Sequence, residues 1–207
     1  MNLQTQRLRL TGPAGAIEAL RDDPAGGAVR GTAVIAHPHP VHGGTMNNKV
    51  VQTLARAFVQ AGWSAVRFNF RGVGASQGQY DEGRGEIQDM HEVVRSVAPE
   101  GPLALAGFSF GSFVASQVVA DLWKRRPAQA IVLVGTAASR FTVAPIPPDG
   151  HVRTLVIHGE QDDTVPLASV MDWARPQTLP VTVIPGVEHF FHGQLPLLKS
   201  LVVHHLR

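Results

Sequence analysis

The chain has 207 residues, 44% apolar and 16% charged, so it can bury a sizeable core and is not a disordered polymer. Its 18 Lys and Arg oppose 16 Asp and Glu, and no basic cluster exceeds Lys124-Arg125-Arg126, so no nucleic-acid partner is expected. The absence of cysteine excludes disulfides, thiolate metal sites and a cysteine nucleophile. No apolar run approaches a membrane span, and Met1 to Gly12 lacks the apolar core of a secretory signal. The expectation is a soluble, cytoplasmic protein with no membrane partner.

Gln4 to Leu10 alternates polar and apolar residues, as a half-buried strand does, and Ala14 to Leu20 is its expected antiparallel neighbour across Gly12-Pro13. From there short apolar runs alternate with helix-length amphipathic segments, the pattern of a parallel sheet covered by helices. Strands are expected at Gly31–His37, Ser64–Phe70, Leu103–Gly107, Ala130–Val134, Thr154–His158 and Val181–Ile184. Helices are expected near Lys49–Ala61, Glu86–Val97, Ser112–Trp123, Pro166–Trp173 and Leu195–Leu206. The helix near Lys49 gathers Val50, Val51, Leu54, Ala55, Phe58 and Val59 close to one face. With no repeat and no linker-like stretch, residues 1–207 read as a single α/β domain: a mostly parallel central sheet with an antiparallel N-terminal hairpin and helices on both faces.

In open α/β sheets the active site lies beyond the carboxyl ends of the strands. There, Gly107-Phe108-Ser109-Phe110-Gly111 joins a strand to a helix, the context in which G-x-S-x-G presents a serine on a sharp turn. The helix that follows aims its N-terminus at Ser109, where amide dipoles favour developing negative charge. A serine hydroxyl becomes a useful nucleophile when a histidine takes its proton and an acid orients that histidine. Asp162 and Asp163, with Glu160 as a third choice, follow the strand Thr154–His158; His189 and His192 follow the strand Val181–Ile184. This is the chain order serine, acid, histidine.

These segments, taken with His37-Pro38-His39-Pro40, Gly43-Gly44-Thr45-Met46, Phe68-Asn69-Phe70-Arg71-Gly72-Val73-Gly74-Ala75-Ser76, His158-Gly159-x-x-Asp162-x-x-Val165-Pro166 and His189-Phe190-Phe191, resemble the α/β-hydrolase superfamily over nearly the whole chain. Within it the resemblance is to small bacterial hydrolases of dienelactone-hydrolase-like architecture, here with a serine nucleophile. It implies Ser109 as nucleophile, Asp162 as acid and His189 as base, with Asp163 and His192 outside the triad, no metal and no cofactor.

The oxyanion of a tetrahedral intermediate needs two backbone donors, one of them the N–H after the nucleophile, that of Phe110. The second is expected from the loop after Gly31–His37. Pro38 and Pro40 carry no N–H, which makes His39 the first donor and Val41 the next. His37, His39 and His42 form a rival zinc set, but no carboxylate follows in that loop. Arg71-Gly72-x-Gly74-x-Ser76-x-Gly78 looks like a phosphate loop without its lysine and reads instead as a tight loop with Arg71 in structural hydrogen bonds.

The segment Gly135–Arg153, stiffened by Pro145, Pro147 and Pro148, is too short for the helical lid of many relatives, so the resemblance implies an open site suited to small acyl esters. The expected function is therefore a carboxylesterase-like serine hydrolase. Its rivals are a peptidase, amidase or acyltransferase with the same triad, and a non-catalytic small-ligand binding protein. Phe108, Phe110, Phe190 and Phe191 are expected to supply apolar surface near the triad, some of them as core.

Overall fold

A computed structural model describes residues 5–26 and 28–207; Gln4 and the start of the Met1–Gly12 segment lie outside the described residues. One eight-stranded sheet organises the chain: β1 (Gln6–Gly12), β2 (Gly15–Asp22), β3 (Thr32–Ala36), β4 (Ser64–Phe68), β5 (Leu103–Phe108), β6 (Ala130–Val134), β7 (Thr154–Gly159) and β8 (Val181–Ile184). Their spatial order is β1-β2-β4-β3-β5-β6-β7-β8. β2 runs antiparallel to β1 and to β4, and every later pairing is parallel. The helices are α1 (Lys49–Gln60), α2 (Arg84–Val97), α3 (Phe110–Leu122), α4 (Leu167–Ala174) and α5 (Leu195–His205). This is the α/β-hydrolase fold expected from the sequence, with an antiparallel N-terminal hairpin and no lid inserted after β6.

Strand periodicity divides the core in two, because successive side chains leave a strand on opposite faces. Val34 and Ala36 of β3, with Leu103 and Leu105 of β5, pack against α2, α3 and α4. Ala33, Ile35, Ala104 and Ala106 from the same strands face α1 and α5. Burial on both faces explains why these strands read as unbroken apolar runs while β1, at the sheet edge, alternates. α1 begins where the Asn48 side chain accepts the Val50 N–H at 2.9 Å, and it buries Val51, Leu54 and Phe58.

The element ends that differ from expectation have identifiable causes. β4 stops at Phe68 because the Phe70 N–H donates to the His37 ring at 3.1 Å instead of to a neighbouring strand. α3 starts at Phe110, two residues early, because the chain turns into the helix within the single residue Ser109. Short 3-10 turns at Pro40–His42, Pro148–Arg153 and Arg175–Gln177 were not expected, and each carries proline in its first two positions, where a missing N–H costs nothing. No helix among the described residues is long and apolar enough to cross a membrane.

Candidate active site

The turn between β5 and α3 holds Ser109 at φ 57°, ψ −118°, a backbone region that side-chain-bearing residues rarely occupy. The flanking glycines make the turn possible: a Cβ at Gly107 would run into the Gly111 backbone, and one at Gly111 into the Ala36 carbonyl. The Ser109 N–H donates to Val134 O at 2.8 Å. Ser112 ties the same corner to β6, its hydroxyl lying 2.7 Å from Gly107 O and accepting the Val134 N–H at 3.1 Å. The elbow is thus anchored from both sides before any chemistry is asked of it.

Beyond β7, Asp162 closes its own loop: its Oδ1 accepts the N–H groups of Val165 at 2.7 Å and Thr164 at 3.0 Å. Its Oδ2 accepts a hydrogen bond from His189 Nδ1 at 2.6 Å. That bond puts the Nδ1 proton toward Asp162 and leaves Nε2 as the basic nitrogen. The His189 loop is bound to the acid loop by the Glu160 and Gln161 N–H groups, which donate to Ile184 O and Val187 O at 3.0 and 2.9 Å. It is pinned to the core by the fully buried Phe191. Ser109, Asp162 and His189 are 7%, 5% and 2% exposed, and Ser109 and His189 line one cavity of about 270 Å³. No hydrogen bond joins the Ser109 hydroxyl to another described residue.

The other sequence candidates part company here. Glu160 is exposed and accepts the Gly186 N–H at 2.9 Å. Asp163 is exposed and bonds only its neighbour Thr164, at 3.3 Å. His192 is exposed beside Glu188 at 3.1 Å. Phe110 and Phe190 line the cavity, whereas Phe108 and Phe191 are core. Arg71 makes a two-pronged pair with Asp89, at 3.0 and 2.8 Å, as its structural reading required.

The loop after β3 is held by histidines. His37 is fully buried; its Nδ1 donates to Pro38 O at 2.6 Å and its Nε2 accepts the Phe70 N–H, so both ring nitrogens are committed to backbone. Burial pushes its pKa down to about 4. His39 Nδ1 accepts the Val41 N–H at 3.3 Å, which leaves Nε2 to donate to the Tyr80 hydroxyl at 3.1 Å. Burial, with the charges of His42 and Arg140, holds the His39 ring below its ordinary pKa. Val41 N–H is therefore occupied, while among the described residues the amide N–H groups of His39 and Phe110 donate to no protein acceptor.

Two groups of this site carry no signal in the sequence. Tyr80 and the pair Arg140-Phe141 reach it from connections without a recognisable motif; Phe141 stacks on Phe113 at 4.8 Å and meets Phe110 edge-on at 5.1 Å. His158, fully buried at the end of β7, lies with Nε2 2.9 Å from Val165 O and 3.4 Å from Asp162 Oδ2.

The sequence model of the family described as serine aminopeptidase, S33, matches residues 35–148 of the chain. An uncharacterized protein of Rickettsia prowazekii is 32% identical over 203 residues, covering 89% of this chain and 82% of that one. An α/β serine hydrolase without a lid from Xanthomonas campestris superposes with a TM-score of 0.88 at 36% identity, over 100% of this chain and 95% of that one. An α/β serine hydrolase homologue from Coxiella burnetii gives 0.83 at 38% identity, covering 98% and 97%.

Proposed function

The chain belongs to the serine aminopeptidase S33 family of α/β serine hydrolases, and from that premise we propose that it cleaves small acyl esters through a Ser109-His189-Asp162 acyl-enzyme mechanism. The observation that carries the reading is the buried 2.6 Å bond from His189 to Asp162 beside the strained Ser109 elbow, with both Ser109 and His189 on one cavity.

In this mechanism Ser109 Oγ attacks the ester carbonyl carbon while His189 Nε2 takes its proton, and Asp162 stabilises the imidazolium. The carbonyl oxygen becomes an oxyanion between the N–H groups of Phe110 and His39. Collapse expels the alkoxide, which receives the proton from His189 and leaves as alcohol. Water then attacks the acyl-enzyme, gives a proton to His189, and the second collapse releases the carboxylic acid and returns the proton to Ser109. One ester and one water yield one acid and one alcohol.

The family description invites an aminopeptidase reading, and the cavity chemistry speaks against it. A free α-amino group needs a carboxylate to receive it, yet no Asp or Glu lines the cavity and its one charged wall residue is Arg140. The test is labelling by a fluorophosphonate probe followed by short-chain 4-nitrophenyl esters and amino-acid 4-nitroanilides. Labelling lost in Ser109→Ala and His189→Ala, with esters turned over and anilides inert, is expected. An unlabelled, folded wild type would overturn the reading in favour of a binding protein.

A further inference from the structure

Arg140 is set apart from the other arginines without a carboxylate partner, such as Arg7, Arg9 and Arg125, by its place on the Ser109 cavity. Arg21, Arg67, Arg71, Arg84, Arg95 and Arg175 each pair with a carboxylate. Arg140 pairs with none of the described residues and stands on the wall of the Ser109 cavity. Its backbone is held in place: the Arg140 and Phe141 N–H groups donate to Ala137 O at 3.2 and 3.1 Å, and the Phe141 ring is stacked into the aromatic cluster. The nearby carboxylates are occupied elsewhere. Asp162 is buried behind His189, and Glu188 is taken by the N–H groups of Phe190 and His192 at 2.8 and 2.7 Å. An exposed cation without a partner among the described residues, on a cavity with no acidic lining and with aromatic walls, is placed to receive an anion.

We propose that this site takes esters bearing a carboxylate away from the scissile bond, with Arg140 as the group that receives it. The inference rests on the ester-hydrolase reading above and names the substrate class of that site. A carboxylate suits better than a phosphate dianion, because the single guanidinium on this cavity balances one negative charge and leaves the second charge of a dianion uncompensated. The aromatic faces of Phe110, Phe141 and Phe190 then cover the connecting carbons.

Two matched pairs test this. With the charge on the acyl side, 4-nitrophenyl pentanoate is compared with the mono-4-nitrophenyl ester of glutaric acid. With the charge on the alcohol side, phenyl acetate is compared with 3-acetoxybenzoate. In at least one pair the ratio of kcat/KM, charged over neutral, is expected to fall about five- to tenfold from wild type to Arg140→Gln, to drop further in Arg140→Glu, and to shrink for wild type as salt is raised. Ratios in both pairs that Arg140→Glu leaves unmoved would overturn the proposal while the ester reading stands. Should wild type turn over none of the four esters, it is the ester reading that fails. Calorimetric titration with glutarate and with benzoate then decides the anion site: binding weakened about tenfold by Arg140→Glu supports it, and no binding to wild type overturns it.

Discussion

At the scale of single residues, the proposed triad is held by neighbouring groups, His158 among them. His158 donates from Nε2 toward both Val165 O and Asp162 Oδ2, so it grips the acid loop at the carbonyl of the residue whose N–H already binds Asp162. Burial keeps its ring below the ordinary histidine pKa and so neutral at pH 7, with the donor in place. Removing it in His158→Ala frees the acid loop to shift, and a misplacement of even an ångström at a catalytic group lowers turnover by roughly ten- to a hundredfold. The expected result in steady-state kinetics is a fall in kcat with KM little changed. His158→Gln, whose amide nitrogen reaches as far as Nε2, should restore most of the rate. If both variants match wild type, the contact has no positioning role.

At the scale of elements, the proposed mechanism makes the strained turn between β5 and α3 set activity against stability. Ser109 sits at φ 57° on a corner that tolerates no Cβ at Gly107 or Gly111. Holding a side-chain-bearing residue there costs on the order of 1–3 kcal/mol, and glycine largely escapes that cost. Ser109→Gly is therefore expected to abolish ester turnover while raising the urea midpoint by the equivalent of about 1 kcal/mol, and Gly111→Ala to lower it. Chemical denaturation of the three proteins checks both signs.

The elbow also shows how much of this molecule could be read in advance. β6 and β8 fall where the apolar runs placed them, and Ser109, Asp162 and His189 lie on the loops that the strand order assigns. These features are local: each is written in a run of neighbouring residues. Tyr80, Arg140 and Phe141 meet around His39 from separate connections, and no periodicity or spacing brings them together. That the Val41 N–H is taken by the His39 ring is likewise invisible in the sequence, since it follows from which ring nitrogen of His39 faces the backbone.

At the scale of the whole molecule, neutral buried histidines make stability depend on pH. His37 has a folded pKa of about 4 against an ordinary value near 6.5. Between those values the unfolded chain binds a proton that the folded chain does not, so stability rises with pH across the window. The contribution, on the order of 3 kcal/mol for His37, is complete above about pH 6.5 and is lost as pH falls toward 4. His39, His158 and His205 are shifted the same way by burial and act in the same direction. Urea midpoints measured from pH 7 to pH 5 should fall, and His37→Gln should flatten that fall even if its midpoint at pH 7 is lower.

The walls of the cavity hang from different strand ends: His39 follows β3, Ser109 follows β5, Arg140 and Phe141 follow β6, and His189 follows β8. On the proposed function, bond breaking and substrate choice ride on separate stretches of chain that share a common sheet. Residues in contact couple: Phe141 touches Phe110 and His39, and a Cβ at Gly135 would meet the His189 ring. Of the wall residues after β6 it is therefore Arg140, whose side chain pairs with no described residue, that descendants of this chain can trade at least cost to the rest of the site. On that function, divergence in diet is then expected to outrun divergence in chemistry, with exchange at Arg140 the most economical route to a new preference.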